Sequence, residues 1–236
     1  MKKKSVFATL FCAGIFATSL ILTSCGGGGT SSSSSSVKIK DYPENEIFGK
    51  IPGILCQFFE KDSIFESQYD KEREKIEEKA YKTKNQDEIL KLYEEIEKLS
   101  DERDNKVEKA REEKSAAIEK EKAALIGKSI PFEMEEGAWY EITNLVITDV
   151  NSDGTALITG TFKVINEERV KKAFFSYPSI FCSCLDSQGN VICEYCNSNT
   201  VKKGDENLVF KTGFSLFRDS GKAFLDFAKV RFLNKD

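Results

Sequence analysis

The segment from Glu60 to Lys122 has neither proline nor glycine, and 21 of its 63 residues are acidic while 16 are basic. A run that long, free of helix breakers and rich in Glu, Lys and Arg, has long helix as its regular option. The order of the charges supports this. Glu78 and Lys82, Asp87 and Lys91, Glu94 and Lys98, and Glu102 and Lys106 stand four apart with the acid first, an arrangement worth about 0.2–0.5 kcal/mol per pair. These pairs favour helix but bury nothing. The least regular stretch is YKTKNQ at 81–86, where Asn85 followed by Glu88 has the spacing of a capping box. The spacing predicts two helices, 61–81 and 86–126, folded back as an antiparallel pair; one continuous rod is the alternative.

The second helix carries a seam at Ile89, Leu92, Ile96 and Leu99, spaced three, four and three. In the same register it decays into Arg103, Lys106, Ala110, Glu113, Ala117, Lys120 and Ala124. A parallel coiled-coil dimer wants apolar seams over several heptads. Pairing within the chain, against Phe65, Tyr69, Ile76 and Ala80, asks for less. Upstream, in 37–59, Pro43, Pro52, Gly49 and Gly53 interrupt regular structure. Ile47, Phe48, Ile51, Ile54, Leu55, Phe58 and Phe59 nevertheless form an apolar cluster that should pack on the body or lead into the first helix. Cys56 within it reads as a buried, inert thiol.

Past Gly127 and Pro131, which stop the helix, the period changes. In ALITGTFKVI, Ala156, Ile158, Gly160, Phe162 and Val164 alternate with the intervening residues. In NLVFKTGFSLF, Leu208, Phe210, Phe214 and Leu216 share a face, and AFLDFAKVRFL is a further strand candidate. Turn signals at 151–154, 186–190, 203–205 and 219–221 separate them, a spacing that describes a sandwich or barrel. Region 127–236 holds eleven phenylalanines, and these read as core. Trp139 reads as packing in the core or at the junction. Glu133, Glu135 and Glu136 are the nearest carboxylate cluster, and they read as a solvated linker face.

The hairpin "LDSQGNV", followed by VKKGDENLVFKTGFSLF, resembles the immunoglobulin-like β-sandwiches of bacterial envelope lipoproteins. Asp186 and Gly189 match the hairpin turn, and Lys203, Gly204 and Asp205 match the turn after it. The resemblance covers about 100 residues. It implies an immunoglobulin-like antiparallel β-sandwich at 127–236; with the N-terminal helical hairpin or coiled-coil region read at 60–126, the expected fold is α+β multidomain.

The N-terminus carries its own pattern. Lys2, Lys3 and Lys4 precede an apolar run to Leu22, the layout of a secretory leader. Leu22-Thr23-Ser24-Cys25 resembles the lipobox of bacterial lipoproteins, which implies cleavage of leader 1–24 and acylation of Cys25. Several acyl chains on one cysteine make a stable anchor where a single chain holds only marginally. GGGGTSSSSSS then reads as a coil within tether 25–36, its eleven residues spanning roughly 17–20 Å end to end. With the leader, the charged helices and the β region together, the chain resembles envelope lipoproteins of the Bacteroides group, a resemblance that brings no site residue with it. The expected location is the cell envelope, lipid-anchored in the outer membrane.

Composition narrows the chemistry. Without the leader's three lysines the basic count falls from 35 to 32 against 39 acidic residues, a formal charge of about −7 that argues against nucleic acid as a partner. The chain has no histidine, which removes Ser-His-Asp catalysis, Cys-His activation and imidazole metal ligation together. No catalytic, metal-binding or cofactor-binding residue is assigned. The expected role is a non-enzymatic envelope protein whose β-sandwich serves interaction or assembly with an envelope protein or glycan; extracellular binding of a small glycan or peptide is the alternative.

The sharpest chemical signal is FCSCLDSQGNVICEYC, with Cys182, Cys184, Cys193 and Cys196 on two sides of one turn. Structural disulfides, reduced thiols and a tetrathiolate zinc site are the options. If Asp186 pairs with Asn190, Cys182, Cys184 and Cys196 share a face and Cys193 points away. If Ser187 pairs with Asn190, Cys184 stands opposite Cys193. All four converge only if a bulge near Glu194-Tyr195 breaks the alternation, and three disulfide connectivities remain open.

Overall fold

The computed structural model describes residues 39–170, 179–197 and 208–234, less the side chains of Arg169, Cys196 and Asn197. The leader, Cys25, the Gly/Ser tether and the turn at Lys203, Gly204 and Asp205 lie outside these residues. The described residues belong to one compact unit.

Helix α1 spans Ile51–Lys82 and α2 spans Gln86–Lys122. The first begins ten residues ahead of the expected start at 61. Pro52 lies in the first turn, where its missing N–H costs no helical hydrogen bond. Gly53 also lies in the helix, where a Cβ would come 3.1 Å from Tyr42 Cβ. The interrupted segment is thus partly helix. Between the helices, Thr83 is extended and its N–H donates to the Lys79 carbonyl. Asn85 caps α2 by accepting from the Asp87 N–H at 3.0 Å. The capping box is only half made: Glu88 turns to the Thr83 hydroxyl at 2.8 Å, and Thr83 Oγ1 accepts the Asn85 N–H at 3.3 Å.

The helices form an antiparallel hairpin, since Lys61 meets Glu113 at 2.7 Å while Glu66 meets Arg103 at 3.3 Å. Arg103 also lies over the Tyr69 ring, 4.7 Å from its centroid. Ile76 is buried, and Ile89, Leu92, Ile96 and Leu99 are half-buried along the seam. Helix α2 stops four residues short of 126. Gly127 adopts φ 84°, and its N–H donates to the Ile147 carbonyl at 2.8 Å. The chain after α2 leaves the helix to pair with a strand.

Seven strands follow among the described residues: β1 (Phe132–Met134), β2 (Tyr140–Val150), β3 (Thr155–Val164), β4 (Ile180–Asp186), β5 (Val191–Asn197), β6 (Val209–Ser215) and β7 (Phe227–Leu233). A single helical turn, α3 (Glu167–Val170), follows β3, and a 3-10 segment, Arg218–Phe224, precedes β7. One sheet has the order β1-β7-β4-β5 and the other β2-β3-β6. All pairings are antiparallel except β1 with β7. The architecture is α+β, with helices preceding two mostly antiparallel sheets.

The expected β3 face is observed: Ala156, Ile158, Gly160 and Phe162 are buried. AFLDFAKVRFL is not one strand. Its first two residues, Ala223 and Phe224, belong to the 3-10 segment, and only Phe227 onward is extended; Asp219, Ser220 and Gly221 adopt left-handed backbone at the expected turn. The sheets face each other through aromatic rings, with Phe210 of β6 and Phe232 of β7 at 5.9 Å and Tyr140 of β2 and Phe232 at 6.3 Å. Trp139 is buried against Tyr140 and Phe162, at 4.8 and 5.7 Å.

The base of the helical hairpin continues this core. Ile47, Phe48, Ile51, Leu55, Ile118 and Leu125 cluster with the strand residues. Buried Asn45 fastens the segment before α1 to the strands. Its amide nitrogen donates to the Phe227 carbonyl at 2.8 Å, and its oxygen accepts from the Ile47 and Phe48 N–H groups at 3.0 and 2.9 Å. Every polar atom of that side chain is satisfied, which is what burial of an amide demands.

Candidate functional site: the thiol pair of the β4–β5 hairpin

Residues 187–190 link β4 to β5, and Asp186 organises the turn. Its carboxylate accepts from the Gln188 and Asn190 N–H groups at 3.0 and 2.7 Å and from the Asn190 amide at 2.9 Å. These donors hold the carboxyl below its ordinary range. Gly189 supplies the positive φ of 85° that the turn requires.

The strands do not keep one register. The Asp186 N–H donates to the Asn190 carbonyl at 3.0 Å, which closes the turn in the first of the two anticipated registers. Leu185 then pairs with Val191, whereas Cys184 pairs with Cys193, so Ile192 is the extra residue of a bulge. Beyond the bulge the second register holds, and Cys182 pairs with Tyr195 and Phe181 with Cys196. The bulge falls at Ile192, three residues from the Tyr195 end of the site suggested by convergence of all four thiols. It brings two together.

Cys182, Cys184 and Cys193 are buried. Cys184 and Cys193 are free thiols set directly opposite each other across β4 and β5. The Cys184 hydrogen bond, the Tyr195 hydroxyl and the Arg218 charge favour the anionic form of Cys193 and bring its pKa down to about 7. Cys184 moves the opposite way, because burial and the neighbouring thiol disfavour a second anion. Tyr195 is also pushed up by burial and by its bond to Cys193. One thiol of the pair is therefore the acid and the other its acceptor.

The side chain of Cys196 lies outside the described part of the structure. Among the described residues, no group of three or more Cys, Asp or Glu could hold a metal ion. Cys56 is buried, and burial raises its pKa to about 11, which keeps it an unreactive thiol.

Two of the three carboxylates near the junction, Glu133 and Glu135, are held by partners of their own. Glu133 on β1 binds Lys229 and also Arg231, the latter at 2.5 Å, both on β7. Glu135 accepts from the Asn234 N–H at 3.0 Å, and the Glu136 carbonyl accepts from the Asn234 amide at 2.9 Å. Glu135 and Glu136 are exposed, as expected of a solvated face, while half-buried Glu133 is part of the seam that joins β1 to β7. A cleft of about 690 Å³ along α1 is lined by Phe59, Asp62, Ser63, Glu66, Asp70 and Ser220 among others. Glu66 there is already paired with Arg103.

Two members of the thiol site were not singled out from sequence. Tyr195 had a local signal, since two residues from Cys193 is the same strand face. Arg218 had none, because it arrives from the turn after β6. No helix among the described residues is long and apolar enough to cross a membrane. Comparison of the chain with protein-family models, with curated proteins and with solved structures finds no match.

Proposed function

We propose that this is a non-enzymatic, lipid-anchored cell-envelope protein, held in the outer membrane through Cys25, whose folded body is an interaction or assembly module. Two facing sheets of four and three strands support reading the β region as an immunoglobulin-like sandwich, which is built from the same strand counts. The partner on this reading is an envelope protein or glycan.

The observation that carries the proposal is the shape of the helical hairpin. Among the described residues, its helices of 32 and 37 residues join the core only at their base, and the tip exposes large apolar side chains. Tyr81 is 92% exposed, Leu90 63% and Tyr93 58%. At about 1.5 Å per residue, Tyr81 lies roughly 39 Å along α1 from Leu55. An arm that long, ending in exposed apolar groups, suits reaching a partner better than closing around a substrate.

Two measurements test this. Metabolic labelling with a clickable fatty acid should tag the native protein and fail in Cys25→Ala. A photo-crosslinking residue at position 90 should give one reproducible adduct in intact envelopes, absent when Tyr81 and Tyr93 are changed to serine. An unlabelled wild-type protein would refute the anchor, and a tip that yields no specific adduct would refute the role of the arm.

A further inference from the structure

We propose that Cys184 and Cys193 are a modification site: a disulfide joins them when the folded protein meets a thiol–disulfide oxidant, with Cys193 reacting first. The argument is one of register and does not depend on how the protein is anchored.

Directly opposed residues of an antiparallel pair have Cα atoms about 4.5 or 5.5 Å apart, and both values lie within the span of roughly 4.4–6.8 Å that a disulfide bridges. Cys184 and Cys193 are opposed in this way. The other described geometries fit poorly. Cys182 and Cys184 are two residues apart on one strand, so their parallel Cβ atoms stand about 6.7 Å apart, beyond the roughly 3.5–4.5 Å that the bond needs. Cys182 and Cys193 are diagonal neighbours, at about 7–8 Å. Cys193 and Cys196 are separated by three strand residues, about 10 Å. With the turn closed between Asp186 and Asn190, the bulge at Ile192 is what selects the pair, for in that register Cys184 would otherwise face Ile192.

The order of reaction follows from position. Among the described strands β5 is the edge of its sheet, whereas β4 lies between β7 and β5. Fraying of an edge strand exposes Cys193 without opening the centre, so the oxidant meets Cys193 before Cys184. The hydrogen bond from Tyr195 and the charge of Arg218 stabilise the Cys193 thiolate that must attack.

The thiolate attacks one sulfur of an oxidant R–S–S–R, forming a Cys193 mixed disulfide and expelling RS⁻, which takes the proton that Cys193 gave up. Cys184 then loses its proton, and its sulfur attacks Cys193 Sγ and expels the second RS⁻, which takes that proton. Two protein thiols are oxidised and one disulfide is reduced to two molecules of RSH.

The test uses the full-length protein, reduced, freed of reductant and incubated with glutathione disulfide, then digested without reduction and mapped by mass spectrometry. The expected result is a linked peptide pair joining Cys184 to Cys193, lighter by two hydrogens. The link should persist in Cys182→Ala and disappear in Cys193→Ala, and Cys184→Ala should stop at a glutathione adduct on Cys193. Absence of the link in the wild-type protein would overturn the site. A predominant link through another cysteine, or an adduct on Cys182 rather than Cys193 in Cys184→Ala, would overturn the assignment. The wild-type map alone decides connectivity if a variant folds poorly.

Discussion

Gly160 of β3 lies directly opposite Phe210 of β6, and a Cβ built on Gly160 would come within 2.1 Å of the Phe210 ring. The ring occupies the space that any other residue at 160 would need. Gly160→Ala should therefore destabilise the protein by about 1–3 kcal/mol through overpacking, although alanine is otherwise the better strand residue. Urea unfolding would measure this as a lower midpoint at unchanged slope. In a Phe210→Ala background the same change should cost far less, and equal costs in the two backgrounds would show that the ring is not the cause.

The turn at 219–221 predicts opposite signs at neighbouring positions. Ser220 is held at φ 55° and Gly221 at φ 89°. Ser220→Gly relieves a left-handed conformation that costs a side-chain-bearing residue roughly 1–2 kcal/mol, less about 0.4–1 kcal/mol from the freer unfolded chain. A small gain in thermal stability is expected. Gly221→Ala should do the reverse, because its Cβ would lie 2.9 Å from both Leu55 Cβ and the Pro52 carbonyl oxygen. Thermal melts that move in the same direction for both variants would contradict this account.

Much of the secondary structure could be read from local pattern, and what could not has identifiable causes. The charged run announced helices because breakers were absent, and Asn85 marked the start of α2. The start of α1 was misplaced because Pro52 and Gly53 were read as breakers, whereas proline is excluded only where its N–H is needed. The faces of β3 and β6 follow from alternation, and the turn at 219–221 is where its signal stands, but β7 starts four residues later than the apolar run from Ala223, because Ala223 and Phe224 close the 3-10 segment. The thiol site was half visible. Each candidate register satisfied its own turn, and the structure uses one at the turn and the other beyond Ile192. A bulge depends on what packs on both sides of a strand, which local spacing does not report. Arg218 comes from the 3-10 segment after β6, far from the hairpin in sequence.

If the helical hairpin is fixed only at its base, equal truncations along α2 should have unequal costs. Ile118 is fully buried in the shared core, while Leu90 near the tip is 63% exposed. Ile118→Ala should cost about 3 kcal/mol and Leu90→Ala under about 0.5 kcal/mol. Chemical denaturation of the two variants checks this directly. Similar losses would mean that the arm is held along its whole length.

Glu133 gives a pH-dependent prediction. The hydrogen bonds from Lys229 and Arg231 hold its carboxyl below the ordinary value near 4.5, so the unfolded chain binds its proton first as pH falls. The stabilisation is then fully present above about pH 4.5 and is lost as pH drops through the folded value. The pair is partly exposed, with side-chain accessibilities of 34–38%, so solvent screening limits the effect and Glu133→Gln should cost about 1 kcal/mol at pH 7. That difference from the wild type should shrink steadily in urea titrations below pH 4.5. Raising salt should also reduce it at pH 7, since exposed ion pairs are screened. A difference that stays constant with pH would mean that Glu133 acts through packing or neutral hydrogen bonding, and that its charge contributes nothing to holding β1 against β7.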